Sequence, residues 1–203
     1  MQIFARLVFG GALCASAGIT VGCASNDPQE QSADVGGPYG VCNAVVQQFE
    51  ITSATHVEEC SELAETSSPP AGGSHYPAWA AFQTYTFPVA HGYLIHSMEH
   101  GAVVFYYNCP NGCDAEVKAA EELIADQPVD SSCTGTGSSR RAILLPDPSL
   151  DVKWAASAWG FTLRADCFDP DVFKRFYTNH YAKAPEDLCV AGRVFTSSPC
   201  ETQ

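Results

Sequence analysis

The run Gly101-Ala102-Val103-Val104-Phe105-Tyr106-Tyr107-Asn108 constrains the fold of this chain most. It is β-branched and aromatic with almost no polar interruption, which suits a strand buried on both faces. Directly before it stands His91-Gly92-Tyr93-Leu94-Ile95-His96-Ser97-Met98-Glu99-His100, in which His96 and His100 are four residues apart with a thioether and a carboxylate between them. Four of the six histidines lie between His75 and His100, so any chemistry should centre there.

The segments C-terminal to this strand set the fold class. Asp114 is a candidate N-cap, Val117, Ala120, Leu123 and Ile124 recur at helical spacing, and Pro128 stops the helix. Residues 129–139 read as a loop, and Arg141 to Leu145 as a second buried strand closed by Pro146. Strand, helix and strand predict a βαβ unit with parallel pairing. Trp154 to Arg164 reads as one more strand, and residues 80–87 as an edge strand. Asp169-Pro170 is a helix start, a cap followed by proline at the first helical position, with Val172, Phe173, Phe176, Tyr177 and His180 on one face. The expectation is an α/β domain, with α+β as the neighbouring alternative: a mixed sheet carrying a βαβ unit and flanking helices. At 203 residues and 46% hydrophobic, the chain supports one domain with a substantial core.

The first part of the chain reads differently. Residues 1–22 have the pattern of a secretory signal, with Arg6 before the apolar run Leu7 to Val21, too short to span a membrane comfortably. Thr20-Val21-Gly22-Cys23 resembles a bacterial lipobox, which makes Cys23 the expected lipidation site. That resemblance implies an exported lipoprotein of the outer membrane or cell surface, held to the membrane by its lipid anchor. Residues 23–40 are polar and read as a flexible tether, with a single domain over 41–203.

Beyond Cys14 and Cys23, eight cysteines remain: Cys42, Cys60, Cys109, Cys113, Cys133, Cys167, Cys189 and Cys200. An even set on an exported chain reads as four disulfides, with the pairing open; a thiolate metal site would want paired C-x-x-C knuckles. Net charge is −13 with ten Lys plus Arg and no basic cluster, which argues against nucleic acid, where phosphate neutralisation supplies most of the affinity.

Four segments together resemble the bacterial DUF3105 family, a domain of unknown function. They are Pro69-Pro70-x-x-Gly73-x-His75-Tyr76, His96-Ser97-Met98-Glu99-His100-Gly101 with the strand after it, Ala158-Trp159-Gly160, and the upstream His56-Val57. The resemblance spans about residues 55–187, and the His-Glu-His-Gly block is its most specific part. Ala71-Gly72 departs from the usual middle of the Pro-Pro motif, and Met98 stands where leucine is common. The family supplies residues to watch and no reaction.

The residues themselves support three readings. In the first, His56, His75, His96 and His100 bind one transition metal, Cu or Zn, with Glu99 as ligand or orienting partner; nitrogen-rich sites suit both ions. In the second, the histidines brace the strand entry by hydrogen bonds, or the surrounding aromatics dock a partner, and no metal is involved. In the third, His96-x-x-Glu99-His100 serves a zinc hydrolase with Glu99 as general base. That reading needs a long helix and a third ligand, for which Glu116, Glu121 and Glu122 are the candidates. Gly101 and the strand after it leave room for one helical turn at most. The chain therefore leans away from enzyme. Met98 is assigned to the core, His91 to a turn, and His180 to the last turn of the second helix.

Overall fold

The computed structural model describes residues 34–134, 137 and 139–200; the expected signal segment, Cys14 and Cys23 lie outside them. A six-stranded mixed sheet has the order β1-β2-β6-β5-β3-β4. In chain order the elements are β1 (Gly36–Tyr39), β2 (Ala44–Gln48), α1 (His91–Glu99), β3 (Val103–Tyr107), α2 (Asp114–Ala125), β4 (Ala142–Pro146), β5 (Trp154–Ala158), β6 (Phe161–Ala165) and α3 (Pro170–His180). β3 and β4 are parallel, as a βαβ unit requires, and every other pairing is antiparallel.

β3 lies inside the sheet and is buried on both faces, and its side chains alternate strictly between two cores. Val103 and Phe105 pack with Ala120, Leu123, Phe173 and Phe176 from α2 and α3. Val104 and Tyr106 pack with Leu94, Ile95 and Met98 from α1. The period of two along the strand thus produces three layers: α1 with its irregular neighbours, the sheet, and the α2–α3 pair. Met98 is fully buried, and Ser157 Oγ donates to its sulphur at 3.0 Å.

Several expectations are corrected. The sheet begins at Gly36, inside the stretch read as a tether. Residues 80–87 form no strand; isolated bridges join Ala80 to Arg193 and Thr84 to Leu144, and Ala80 and Tyr85 are buried in the core on the α1 side of the sheet. The stretch from Trp154 is two strands, because Gly160, at φ +80°, turns the chain into a hairpin. α2 is capped by Cys113, one residue before Asp114. α3 starts as read, with the Asp169 carboxylate accepting from the backbone N–H of Asp171 (3.1 Å) and Val172 (3.4 Å). All eight cysteines among the described residues are paired: Cys42–Cys167, Cys60–Cys200, Cys109–Cys113 and Cys133–Cys189. Among the described residues, no helix is long and apolar enough to cross a membrane.

Candidate metal centre

α1 is nine residues long, more than the single turn expected from the position of Gly101, because it begins already at His91. Its end is fixed as the sequence suggested. Gly101 takes φ +88°, its N–H bonds Met98 O at 2.9 Å, and the Ala102 N–H bonds Ser97 O at 3.0 Å. This pair of bonds is a Schellman stop, which asks for glycine at the left-handed position. A Cβ at Gly101 would also meet Ala182 Cα and Arg141 Nη1 at 2.9 Å. The helix therefore terminates at the point where His96 and Glu99, three residues apart, share one face.

The other two partners come from extended backbone. His56 and His75 form a parallel bridge, in which the Val57 N–H donates to His75 O (2.8 Å) and the His75 N–H to Thr55 O (3.1 Å). The bridge sets the two imidazoles side by side, with ring centroids 4.9 Å apart. His56 and His75 lie 4.9 and 4.7 Å from the His96 ring. One ligand atom from each of His56, His75, His96 and Glu99 falls within 4.8 Å of the others. His56 is exposed and the other three are buried, so the cluster is a shallow site with one open side.

The hydrogen bonds around the rings decide what the inner nitrogens can do. His75 Nδ1 lies 2.9 Å from Gly73 O, and His96 Nδ1 lies 2.6 Å from Tyr76 O. A carbonyl only accepts, so each Nδ1 carries the proton and each Nε2 of the neutral ring keeps its lone pair. Backbone carbonyls that orient imidazoles in this way are the usual outer support of metal-binding histidines. His75 Nε2 then sits 2.9 Å from Glu99 Oε2, yet makes no hydrogen bond of acceptable angle. Two acceptors in contact in a buried place call for a positive charge between them, either a proton or a metal ion.

Electrostatics point the same way. Burial, joined by the neighbouring His100, His75 and His56, outweighs the Tyr76 carbonyl and pushes His96 down to about 4, so it is a neutral donor at neutral pH. Burial also raises the Glu99 carboxyl, although His75 opposes the shift. Trp79 and Trp159 wall the site, with Trp79 5.1 Å from the His96 ring and Trp159 6.3 Å from that of His75.

His100 is beside the group and not in it. Its ring is 4.7 Å from that of His96, but its Nε2 faces Glu186 Oε2 at 3.0 Å, and its buried Nδ1 has no hydrogen-bond partner. Burial lowers its pKa against the pull of Glu186. The hydrolase reading needed His96 and His100 on one ion, and the geometry does not bring them together with Glu99. Of the proposed third ligands, Glu116 is held by Lys153 Nζ (2.8 Å) and Trp154 Nε1 (2.6 Å). The roles of Glu186 and of the Gly73 and Tyr76 carbonyls had no sequence signal, because each acts through a contact made only in the fold.

Of the two further histidines, His91 departs from the sequence reading and His180 keeps to it. His91 opens α1 and is clamped between Glu65 Oε1 (2.6 Å) and Asp147 Oδ2 (3.0 Å). His180 does end α3, and it is buried against Asp34 at 3.0 Å.

The cluster falls within a segment that has recognisable relatives. The family model described as Protein of unknown function (DUF3105) matches residues 56–191, from the first histidine of the cluster to beyond α3. No curated protein and no solved structure matches the chain. A match over two thirds of the sequence makes the assignment plain: the chain belongs to the DUF3105 family.

Proposed function

We propose that this domain binds a single transition-metal ion through His56, His75, His96 and Glu99. The observation that carries the reading is the convergence of three imidazoles and one carboxylate within 4.8 Å, with two of the imidazoles held from behind by backbone carbonyls. Three nitrogens and one oxygen complete a tetrahedral set for zinc and also suit Cu(II), which stands above zinc in intrinsic affinity for such donors. His100 stands next to the ligands as a neighbour engaged by Glu186. A filled four-ligand shell favours holding or delivering an ion over catalysis, since catalytic zinc keeps a position for water.

The test is uptake. Purified protein is expected to take up one equivalent of Cu(II) or Zn(II), measured by elemental analysis after desalting. His75→Ala combined with His96→Ala should abolish uptake, and His100→Ala should leave the stoichiometry intact. Wild type that takes up no metal, or a double variant that takes up as much as wild type, overturns the reading.

We further propose that the domain works at the cell envelope, anchored by a lipid on Cys23. The support is the Leu7–Val21 apolar run ending at Gly22-Cys23, together with four disulfides, which persist outside the reducing cytoplasm. Labelled fatty acid should enter the wild-type protein and not a Cys23→Ser variant; equal labelling would sink the idea. The acidic chain gives no support for a nucleic-acid partner.

A further inference from the structure

One disulfide differs from the rest. Cys109–Cys113 closes a separation of four residues, whereas the other three span 56, 125 and 140. A short loop removes the least freedom from the unfolded chain, so this bridge contributes least to holding the fold. Its position is also particular. β3 ends at Tyr107, Cys109 comes two residues later, and a tight turn with Gly112 at φ +83° delivers Cys113 as the N-cap of α2. The Gly112 N–H donates to Cys109 O at 2.9 Å across that turn. α2 then leads to the parallel strand β4. Pro110, Asn111 and Gly112 are exposed and both cysteines are half-buried.

A cysteine pair at the head of the helix in a βαβ unit is the placement used by disulfide oxidoreductases, here with three intervening residues in place of two. The cap has no side-chain hydrogen bond while Cys113 is oxidised, so a Cys113 thiolate would find the free N–H groups of the first helical turn. A carboxylate oxygen of Glu116 lies within 4.8 Å of both sulphurs, and Lys153 Nζ and Trp154 Nε1 hold that carboxylate in place. The pair thus has a carboxylate near it, itself held by a cation, and it lies beyond the C-terminal end of β3, whereas α1 and the histidines meet the strand at the other end.

We propose that Cys109–Cys113 is an exchange-competent disulfide that accepts two electrons from a dithiol. A thiolate of the dithiol attacks Cys109 Sγ, the Cys109–Cys113 bond breaks, and Cys113 leaves as a thiolate at the α2 cap. The second thiol of the donor then attacks the mixed disulfide and releases Cys109. The donor ends as a disulfide, and its two electrons and two protons reside on Cys109 and Cys113.

The test is a redox titration of the native protein with mixtures of reduced and oxidised dithiothreitol, with free thiols trapped by alkylation and mapped by mass spectrometry. Cys109 and Cys113 should be half-labelled at a reduced-to-oxidised ratio at least ~100-fold lower than Cys42 and Cys167 require, equivalent to about 60 mV. A Cys109→Ala, Cys113→Ala variant should melt within a few degrees of wild type. Coincident opening of all four bridges overturns the proposal, as does a loss of melting temperature matching that of a Cys42→Ala, Cys167→Ala variant. So does an opened pair that binds added zinc and fails to re-form its bond in oxidised dithiothreitol.

Discussion

At the scale of single residues, the histidines sort by what stands behind each ring. His75 and His96 have carbonyls at Nδ1 and present lone pairs inward, whereas His91 has carboxylates at both nitrogens and holds a proton. Burial disfavours that charge, but the hydrogen bonds that His91 donates to Asp147 and Glu65 outweigh it and raise His91 to about 9. The folded state therefore binds the proton more tightly than the unfolded chain. The stabilisation is complete below pH 6.5 and is lost as the pH rises through about 9. Replacing His91 with Gln should cost ~1–3 kcal/mol in chemical denaturation at pH 6, and the gap to wild type should close by pH 10; a gap independent of pH would refute the assignment. The sequence grouped His56, His75, His96 and His100 with Glu99 as ligand or orienting partner, and all of these but His100 converge. It misread His91, because Glu65 and Asp147 lie 26 and 56 residues away and leave no local pattern.

At the scale of elements, α1 is the piece on which the site depends, and two glycines set its placement. Gly101 ends it, and Gly92 lets it approach the ring of Tyr76, where a Cβ would come within 2.5 Å. Tyr76 O is the carbonyl that orients His96. Gly92→Ala should therefore weaken metal affinity by about 10–100-fold through a residue that touches no ligand, the effect expected of an outer-support defect. Calorimetry of metal binding would check this, and an unchanged affinity in a folded variant would disprove the link. The βαβ unit and both strands of its parallel pair were legible, because burial on both faces leaves an unbroken apolar run. The start of α1 was not. Nine residues of mixed character show little helical periodicity when nearly all are buried, as Gly92 to Glu99 are. The supposed edge strand at 80–87 had strand composition but pairs only at isolated bridges, to Arg193 and to Leu144 of β4.

At the scale of the whole molecule, the layers are held together by a few long-range ties. Arg141, 1% exposed, donates to His100 O at the end of α1 and pairs with Asp130 and Asp187. One guanidinium thus joins the helix carrying the site to the loop after α2 and to the C-terminal segment. Cys42–Cys167 ties the start of the sheet to the entry of α3. Such ties are invisible in sequence, where cysteines announce bridges but not partners. The placement of the tryptophans around the site has an optical consequence. Trp79 stacks near His96 and His100, with ring centroids 5.1 and 4.3 Å away, and Trp159 meets the edge of His75, while Trp154, the third tryptophan of the chain, is buried in the other core. Indole emission should therefore report on occupancy: paramagnetic Cu(II) should quench Trp79 and Trp159, closed-shell Zn(II) should leave their intensity nearly unchanged, and Trp79→Phe should remove much of the copper signal. The protein carries its own fluorophores at the centre, and titration without any added dye can both count the ion and tell the two metals apart.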